Sequence, residues 1–191
     1  MKILIHTCCA PCLVGPYDDL IKNNKDITAF YYNPNVMPYR EFRKRLISFR
    51  DFCIAKNIPF ILNEEYTLET VLEQMINRGD TPRCLVCYRL RLFEAARVAS
   101  EKSFDAFTTT LSVSPYQDHD LIQKAGEEAS GEYDVSFIYK DWRPVFKTGH
   151  EDAKKFDLYF QKYCGCIFSE EERFRPSARK RIARKRKRNN P

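Results

Sequence analysis

Lys2-Ile3-Leu4-Ile5-His6-Thr7-Cys8-Cys9-Ala10-Pro11-Cys12 opens the chain, and the fold is read outward from it. Lys2 to His6 is a short apolar run of the kind that makes a buried strand, and it leads straight into three cysteines. Pro11 to Asn23 follows as a helix, with Leu13, Tyr17, Leu20 and Ile21 at helical spacing. The alternation then repeats. Ile27 to Tyr32 reads as a second strand stopped by Asn33-Pro34-Asn35, and Tyr39 to Lys56 as a helix with Phe42, Leu46, Phe49 and Cys53 on one face. Ile58 to Leu62 is expected as a third strand and Leu68 to Arg78 as a helix ended by Gly79. Cys84 to Lys102 reads as a helix, Phe104 to Leu111 as a fourth strand, Asp118 to Ala129 as a helix and Glu151 to Lys162 as a last long one. This order predicts an α/β fold, a parallel sheet covered by helices on both faces. In such sheets ligands sit outside the carboxyl ends of the strands, where the first cysteines fall.

The length of 191 residues suits one domain, and 43% hydrophobic residues with 14% aromatics exclude a disordered chain. Only 6 glycines, without a triplet period, exclude a fibrous one. No apolar run approaches the roughly 20 residues of a bilayer-spanning helix, and Met1 to Ile5 is too short for a signal peptide, so a cytoplasmic protein without a membrane partner is expected. The formal charge of +6 is unevenly spread. Arg173 to Arg188 holds 10 basic residues and no acid, which leaves a body of 22 basic against 26 acidic residues. The expected organisation is a single α/β metal-binding domain over 1–172 and a basic arm over 173–191.

Seven of the 8 cysteines fall into three groups: Cys8, Cys9 and Cys12; Cys84 and Cys87; Cys164 and Cys166. The eighth, Cys53, sits on an apolar helix face and reads as a small buried hydrophobe. In a reducing compartment such usage points to metal or redox chemistry rather than disulfides. A Cys-x-x-Cys at a helix start can place both sulfurs around one centre, and the exposed amides there favour thiolate. Cys9/Cys12 and Cys84/Cys87 together supply four thiolates, the ligand count of a structural zinc or a 4Fe-4S cluster. The 71 residues between the pairs favour a centre built into the mouth of a sheet, which makes iron-sulfur the sharper option and leaves zinc open. Adjacent Cys8 and Cys9 are expected to diverge, so one of them would serve a second metal or a redox role with Cys164 and Cys166. His6 is a ligand, a proton donor or, most simply, a satisfied histidine. Cys9-Ala10-Pro11-Cys12 also imitates a thioredoxin-like dithiol site, although that pattern does not call for two more cysteine groups.

His-x-Cys-Cys-Ala-Pro-Cys after the first strand, an internal Cys-x-x-Cys, Thr110-Leu111-Ser112-Val113-Ser114-Pro115 and a late Cys-Gly-Cys together resemble the cobalamin-independent epoxyqueuosine reductases, the QueH family. The resemblance covers about Lys2 to Phe168. It implies an α/β fold similar to the PP-loop ATPases, and reduction of epoxyqueuosine to queuosine at the wobble position of tRNA, the last step of queuosine biosynthesis. No Ser-Gly-Gly loop follows the first strand, which speaks against ATP use. The resemblance also implies a two-part metal centre, a 4Fe-4S cluster with an adjacent second metal, expected to be iron. The partition expected here gives Cys9, Cys12, Cys84 and Cys87 to the cluster, with Cys8, Cys164 and Cys166 holding or bordering the second iron. No Gly-x-Gly-x-x-Gly flavin or nicotinamide fingerprint exists, so an external electron donor is implied.

Asp18, Asp118, His119 and Tyr116 are candidate proton donors, each with an equally good surface or helix-cap reading. Recognition of an anticodon loop calls for aromatics that stack bases and cations that hold phosphates. Tyr32, Asn33, Tyr39 and Arg40, after the second strand, and Arg83, Arg89 and Arg91, around the central cysteine pair, are candidates for those contacts, with the arm from Arg179 to Arg188 adding salt-sensitive attraction. A zinc-stabilised RNA-binding module without catalysis and a thioredoxin-like oxidoreductase stand as the alternatives.

Overall fold

The first strand, β1 (Lys2–His6), buries every residue after Lys2, as a central strand of a two-faced sheet must. In the computed structural model, which describes residues 1–23 and 25–175, it lies between β2 (Asp26–Tyr31) and β4 (Ala106–Thr109), with β3 (Phe60–Leu62) and β5 (Ser136–Phe137) at the edges. All four pairings are parallel and the order is β3-β2-β1-β4-β5.

Alternation along the strands builds the two layers. Ile3, Ile5, Ala29 and Tyr31 face a core shared with α1 (Ala10–Lys22), α2 (Tyr39–Ala55) and α6 (Phe146–Lys155). Leu4, Phe30 and Phe107 face the opposite core, against Leu92 and Ala96 of α4 (Arg83–Glu101) and Ile122, Ala125 and Ala129 of α5 (His119–Tyr133). Each fully buried aliphatic side chain contributes about 1.5–3 kcal/mol, so both layers are needed to offset the chain entropy. A third, smaller cluster joins Val71 and Met75 of α3 (Leu68–Ile76) to Cys87 and Met37. On α5, Gly126 admits the ring of Phe137; a Cβ there would stand 2.1 Å from Phe137 Cε1. Among the described residues, no helix is long and apolar enough to cross a membrane.

The chain leaves β1 toward β2 on one side, whereas β4 lies on the other. The carboxyl ends of β1 and β4 therefore flank the crevice where connections diverge, the usual ligand position in open α/β sheets.

The α/β alternation holds, with three departures. The strand expected over Phe104 to Leu111 ends at Thr109, and Thr110–Val113 turns into a 3₁₀ segment capped by the Thr109 hydroxyl, which accepts from the Leu111 amide. Ser136–Phe137 forms a strand that its two residues were too few to announce. The last long helix, expected over Glu151 to Lys162, is instead Phe146–Lys155. Asp157 adopts a left-handed φ of 50° there, and residues beyond it run back toward the crevice without helix. Residues 167–175 are helical, so the body–arm boundary expected at 172/173 falls inside that helix; residues 176–191 of the arm lie outside the described residues.

Candidate metal centre

Cys8 and Cys9 lie just past the end of β1, where strand alternation no longer governs direction. Cys9 is the extended N-cap of α1, at φ −169° and ψ 160°, and Pro11 occupies its first turn, where a missing amide costs nothing. This turn corrects the expected divergence. The Cys8 and Cys9 sulfurs are 3.9 Å apart, and with Cys12, one turn along α1, all three lie within 4.8 Å of one another. That spacing is close to the ~3.8 Å that 2.3 Å bonds to one tetrahedral ion produce.

The other four thiols come from two elements. Cys84 and Cys87 share a face in the first turns of α4, Cys84 exposed and Cys87 buried. Cys164 and Cys166 stand 3.9 Å apart on the segment that returns from α6. Gly165 between them takes φ +128°, and a Cβ there would meet Val36 at 2.9 Å and the Arg45 guanidinium at 3.0 Å. The loop is pinned from α2 and its entry: Arg45 donates to the carbonyls of Cys164 (2.9 Å) and Tyr163 (3.0 Å), and the Met37 amide donates to Gly165 O (2.8 Å). The structure thus groups Cys8 with Cys9 and Cys12, unlike the partition expected from the sequence.

Each group is charged unequally. Thiols of Cys12 and Cys9 and the Thr110 hydroxyl hydrogen-bond to Cys8 and hold it well below its usual pKa. Burial pushes Cys9 up to about 12, and the proton that Cys12 lends to Cys8 keeps Cys12 well above its usual range. Cys164 is brought down to about 5 by the Cys166 thiol, despite burial and with help from Ser169, while Cys166 is raised. Burial raises Cys84 and takes Cys87 to about 11. Cys53, far from these groups in the α2 core, is pushed up to about 12 by burial alone, as an inert buried thiol should be.

Surrounding polar groups close the site. His6 is fully buried; Nε2 donates to Tyr32 O at 3.1 Å, so Nδ1 accepts from the Thr109 hydroxyl at 2.8 Å. Burial, with Arg91 nearby, lowers its pKa to about 3, so it is a neutral, satisfied histidine. Gln161 Nε2 donates to Cys9 Sγ at 2.9 Å. Buried Gln161 Oε1, Asn33 Oδ1 and Asn35 Oδ1 have no partner among the described residues. Seven sulfur donors, three of them preassembled and next to unpartnered acceptors, fit a thiolate-bound metal centre, for which soft iron-sulfur or zinc chemistry is suited.

The candidate proton donors separate. Asp18 is exposed and six residues beyond Cys12 on α1, about 9 Å along the axis and away from the thiols. Asp118 caps α5 by accepting from Leu121 N. His119 has both nitrogens engaged, with Tyr139 OH (2.8 Å) and Ser114 O (3.2 Å). Tyr116 is 85% exposed and meets Phe146 edge-on.

Of the residues expected to hold substrate, Tyr39 and Arg40 are exposed and Tyr32 half-buried on Phe30. Asn33 is buried and donates to Thr7 O, a structural contact that substrate cannot reach from solvent. Arg83 pairs with Glu172 and lies over Phe168, and Arg89 grips Glu128 with two hydrogen bonds of 2.7 Å. Arg91, expected at phosphate or solvent, is instead 3% exposed and donates to Cys87 Sγ. Its position four residues after Cys87 on a helix was the available sign. Arg45 carried the same sign, four residues after Glu41, whereas nothing in the sequence marked Gln161.

The sequence profile of the family "Epoxyqueuosine reductase QueH" matches residues 3–172. The reductase of that name from Dehalococcoides mccartyi is 31% identical over 91% of this chain and 94% of its own length, and the one from Thermotoga maritima 33% identical over 96% and 97%. Among solved structures, the U34-tRNA thiolase NcsA from Methanococcus maripaludis, described with its [4Fe-4S] cluster, superposes with a TM-score of 0.56 at 18% identity, covering 88% of this chain and 61% of that one. A predicted subunit of tRNA methyltransferase from Methanocaldococcus jannaschii gives 0.51 at 10% identity, over 81% and 74%. These two share the fold. Matched by profile and by full-length relatives, the chain belongs to the QueH family of epoxyqueuosine reductases.

Proposed function

We propose that this protein reduces epoxyqueuosine to queuosine at the wobble position of a cytoplasmic tRNA, using a 4Fe-4S cluster and an adjacent iron held among its seven clustered thiols. The observation that carries this reading is the preassembly of Cys8, Cys9 and Cys12 within 4.8 Å at the carboxyl end of β1, with the charge of Cys164 felt by Cys84 and Cys87. In the reaction the epoxide oxygen leaves as water and its two carbons become an alkene, which consumes two electrons and two protons. When bound, the cluster and the metal supply single electrons from an external donor and a Lewis acid for that oxygen.

The close spacing of Cys8, Cys9 and Cys12 supports a single metal there, which these three thiolates would hold. Cys84, Cys87, Cys164 and Cys166 are then the four ligands for the cluster. Neutral His6 fixes the β1 end by its two hydrogen bonds and releases no proton near neutral pH. Tyr116 at the exposed rim and Asp118, whose charge reaches Cys84, are the better placed of the proton carriers. Tyr32, Tyr39 and Arg40 would receive the anticodon loop, while Arg83 and Arg89 would exchange their glutamates for phosphates.

The test is anaerobic purification with iron, sulfide and zinc assays on one sample, followed by nucleoside analysis of epoxyqueuosine tRNA after incubation with dithionite. Iron slightly exceeding sulfide, together with queuosine formation, is expected. Zinc without sulfide would move the reading to the structural RNA-binding module.

A further inference from the structure

Arg91 is buried with no carboxylate to balance it. Its Nη2 donates to Cys87 Sγ at 3.1 Å and its Nε to Cys87 O at 3.1 Å, while the guanidinium lies 5.6 Å from the Tyr88 ring centre. The other deeply buried arginine, Arg45, pairs with Glu41 at 2.8 Å. Among the described residues, no carboxylate reaches ion-pair distance of Arg91. Burial pulls its pKa down, yet the charges of Cys87, Tyr88, Cys8 and Cys164 keep it above its usual value. A buried cation without a counter-ion is costly, and the group within hydrogen-bond reach that can carry a compensating negative charge is the Cys87 sulfur.

We propose that Arg91 is the counter-ion of the thiolate-bound centre and raises its reduction potential. This rests on the iron-sulfur reading of the site. Each electron accepted by such a centre adds one negative charge, and a fixed cation hydrogen-bonded to a ligand sulfur stabilises the reduced form more than the oxidised one. The guanidinium is held at both ends, by the Cys87 carbonyl and the Cys87 sulfur, so it does not need to reorganise when the electron arrives.

The test compares wild type, Arg91→Gln and Arg91→Lys after anaerobic reconstitution, by dithionite titration followed through visible absorption and electron paramagnetic resonance. Arg91→Gln is expected to lose at least tenfold in the preference for the reduced form, a drop of about 59 mV for one electron, with Arg91→Lys between it and wild type. An intact cluster with unchanged potential in Arg91→Gln overturns the proposal and leaves the iron-sulfur reading standing. So does an Arg91→Lys potential as low as that of Arg91→Gln. Should Arg91→Gln assemble no cluster, Arg91→Lys decides: wild-type iron and sulfide in it support the role of charge, and equal failure overturns it. A wild type without sulfide overturns the iron-sulfur reading and this proposal together.

Discussion

Gln161 and Cys9, 152 positions apart, are joined by a 2.9 Å hydrogen bond from the amide Nε2 to the thiol sulfur. This contact ties the segment returning from α6 to the N-terminus of α1. Replacing Gln161 with Leu removes this donor and leaves the buried Cys9 sulfur only its thiol neighbours, a loss of about 1–2 kcal/mol. The melting temperature of the metal-free protein, recorded anaerobically, should fall by about 2–8 °C.

Arg45 ties the Cys164-Gly165-Cys166 loop to α2 while its own charge is met by Glu41. Arg45→Met leaves Glu41 buried without its partner, a change of about 3–5 kcal/mol in stability. Urea unfolding should show that loss, and reconstituted protein should bind less iron per chain.

Gly165→Ala should act on the same loop with little effect elsewhere. The residue's φ of +128° and the 2.9 Å approach of Val36 leave no room for a methyl group. Iron and sulfide content should drop while the far-ultraviolet circular dichroism stays unchanged.

Cys84→Ala and Cys53→Ala should part company. The first removes a thiol of the four-membered group and is expected to abolish sulfide content and activity. The second trims a buried thiol in the α2 core and should keep both, at a stability cost of about 1–2 kcal/mol. Metal analysis of the two variants side by side checks this, and a brown, active Cys84→Ala protein would refute the ligand assignment.

Asp19 accepts from Lys140 Nζ at 2.5 Å and from Trp142 Nε1 at 3.0 Å. Burial pushes its pKa up, but these two donors outweigh burial and bring it below 3.8. The folded state therefore binds this proton less readily than the unfolded one. The resulting stability is present above about pH 4 and lost as pH falls through the lower folded value. Asp19→Asn should lower the urea midpoint at pH 7 and make much less difference at pH 3.

Much of the layer structure was legible because long periodic stretches leave little choice. The faces of α2 and α4 were readable from Phe42, Leu46 and Phe49 and from Leu92, Ala95 and Ala96, all buried. Short and strained pieces were not. Ser136–Phe137 is too brief to show a period, and the left-handed Asp157 ended a helix whose charged sequence would have continued it. At the site, the cysteines announced themselves by type and spacing. Their grouping did not, because it depends on a turn at Thr7–Cys9 that releases Cys8 and Cys9 from strand alternation. Arg91 looked like a surface cation beside the Cys84/Cys87 pair until the helix face it occupies was known to be buried.

The two thiol stretches assigned to the cluster give it a mechanical meaning apart from electron transfer. A cluster held by Cys84, Cys87, Cys164 and Cys166 would close one loop, residues 88–163, as a crosslink would, and restrict the unfolded chain by a loop-closure entropy of the size a disulfide gives, about 3–5 kcal/mol. The clasp can form only after α4 and the segment beyond α6 have come together, so loading reports completed folding. Oxidative loss of the cluster would then unlatch α4 from the segment beyond α6.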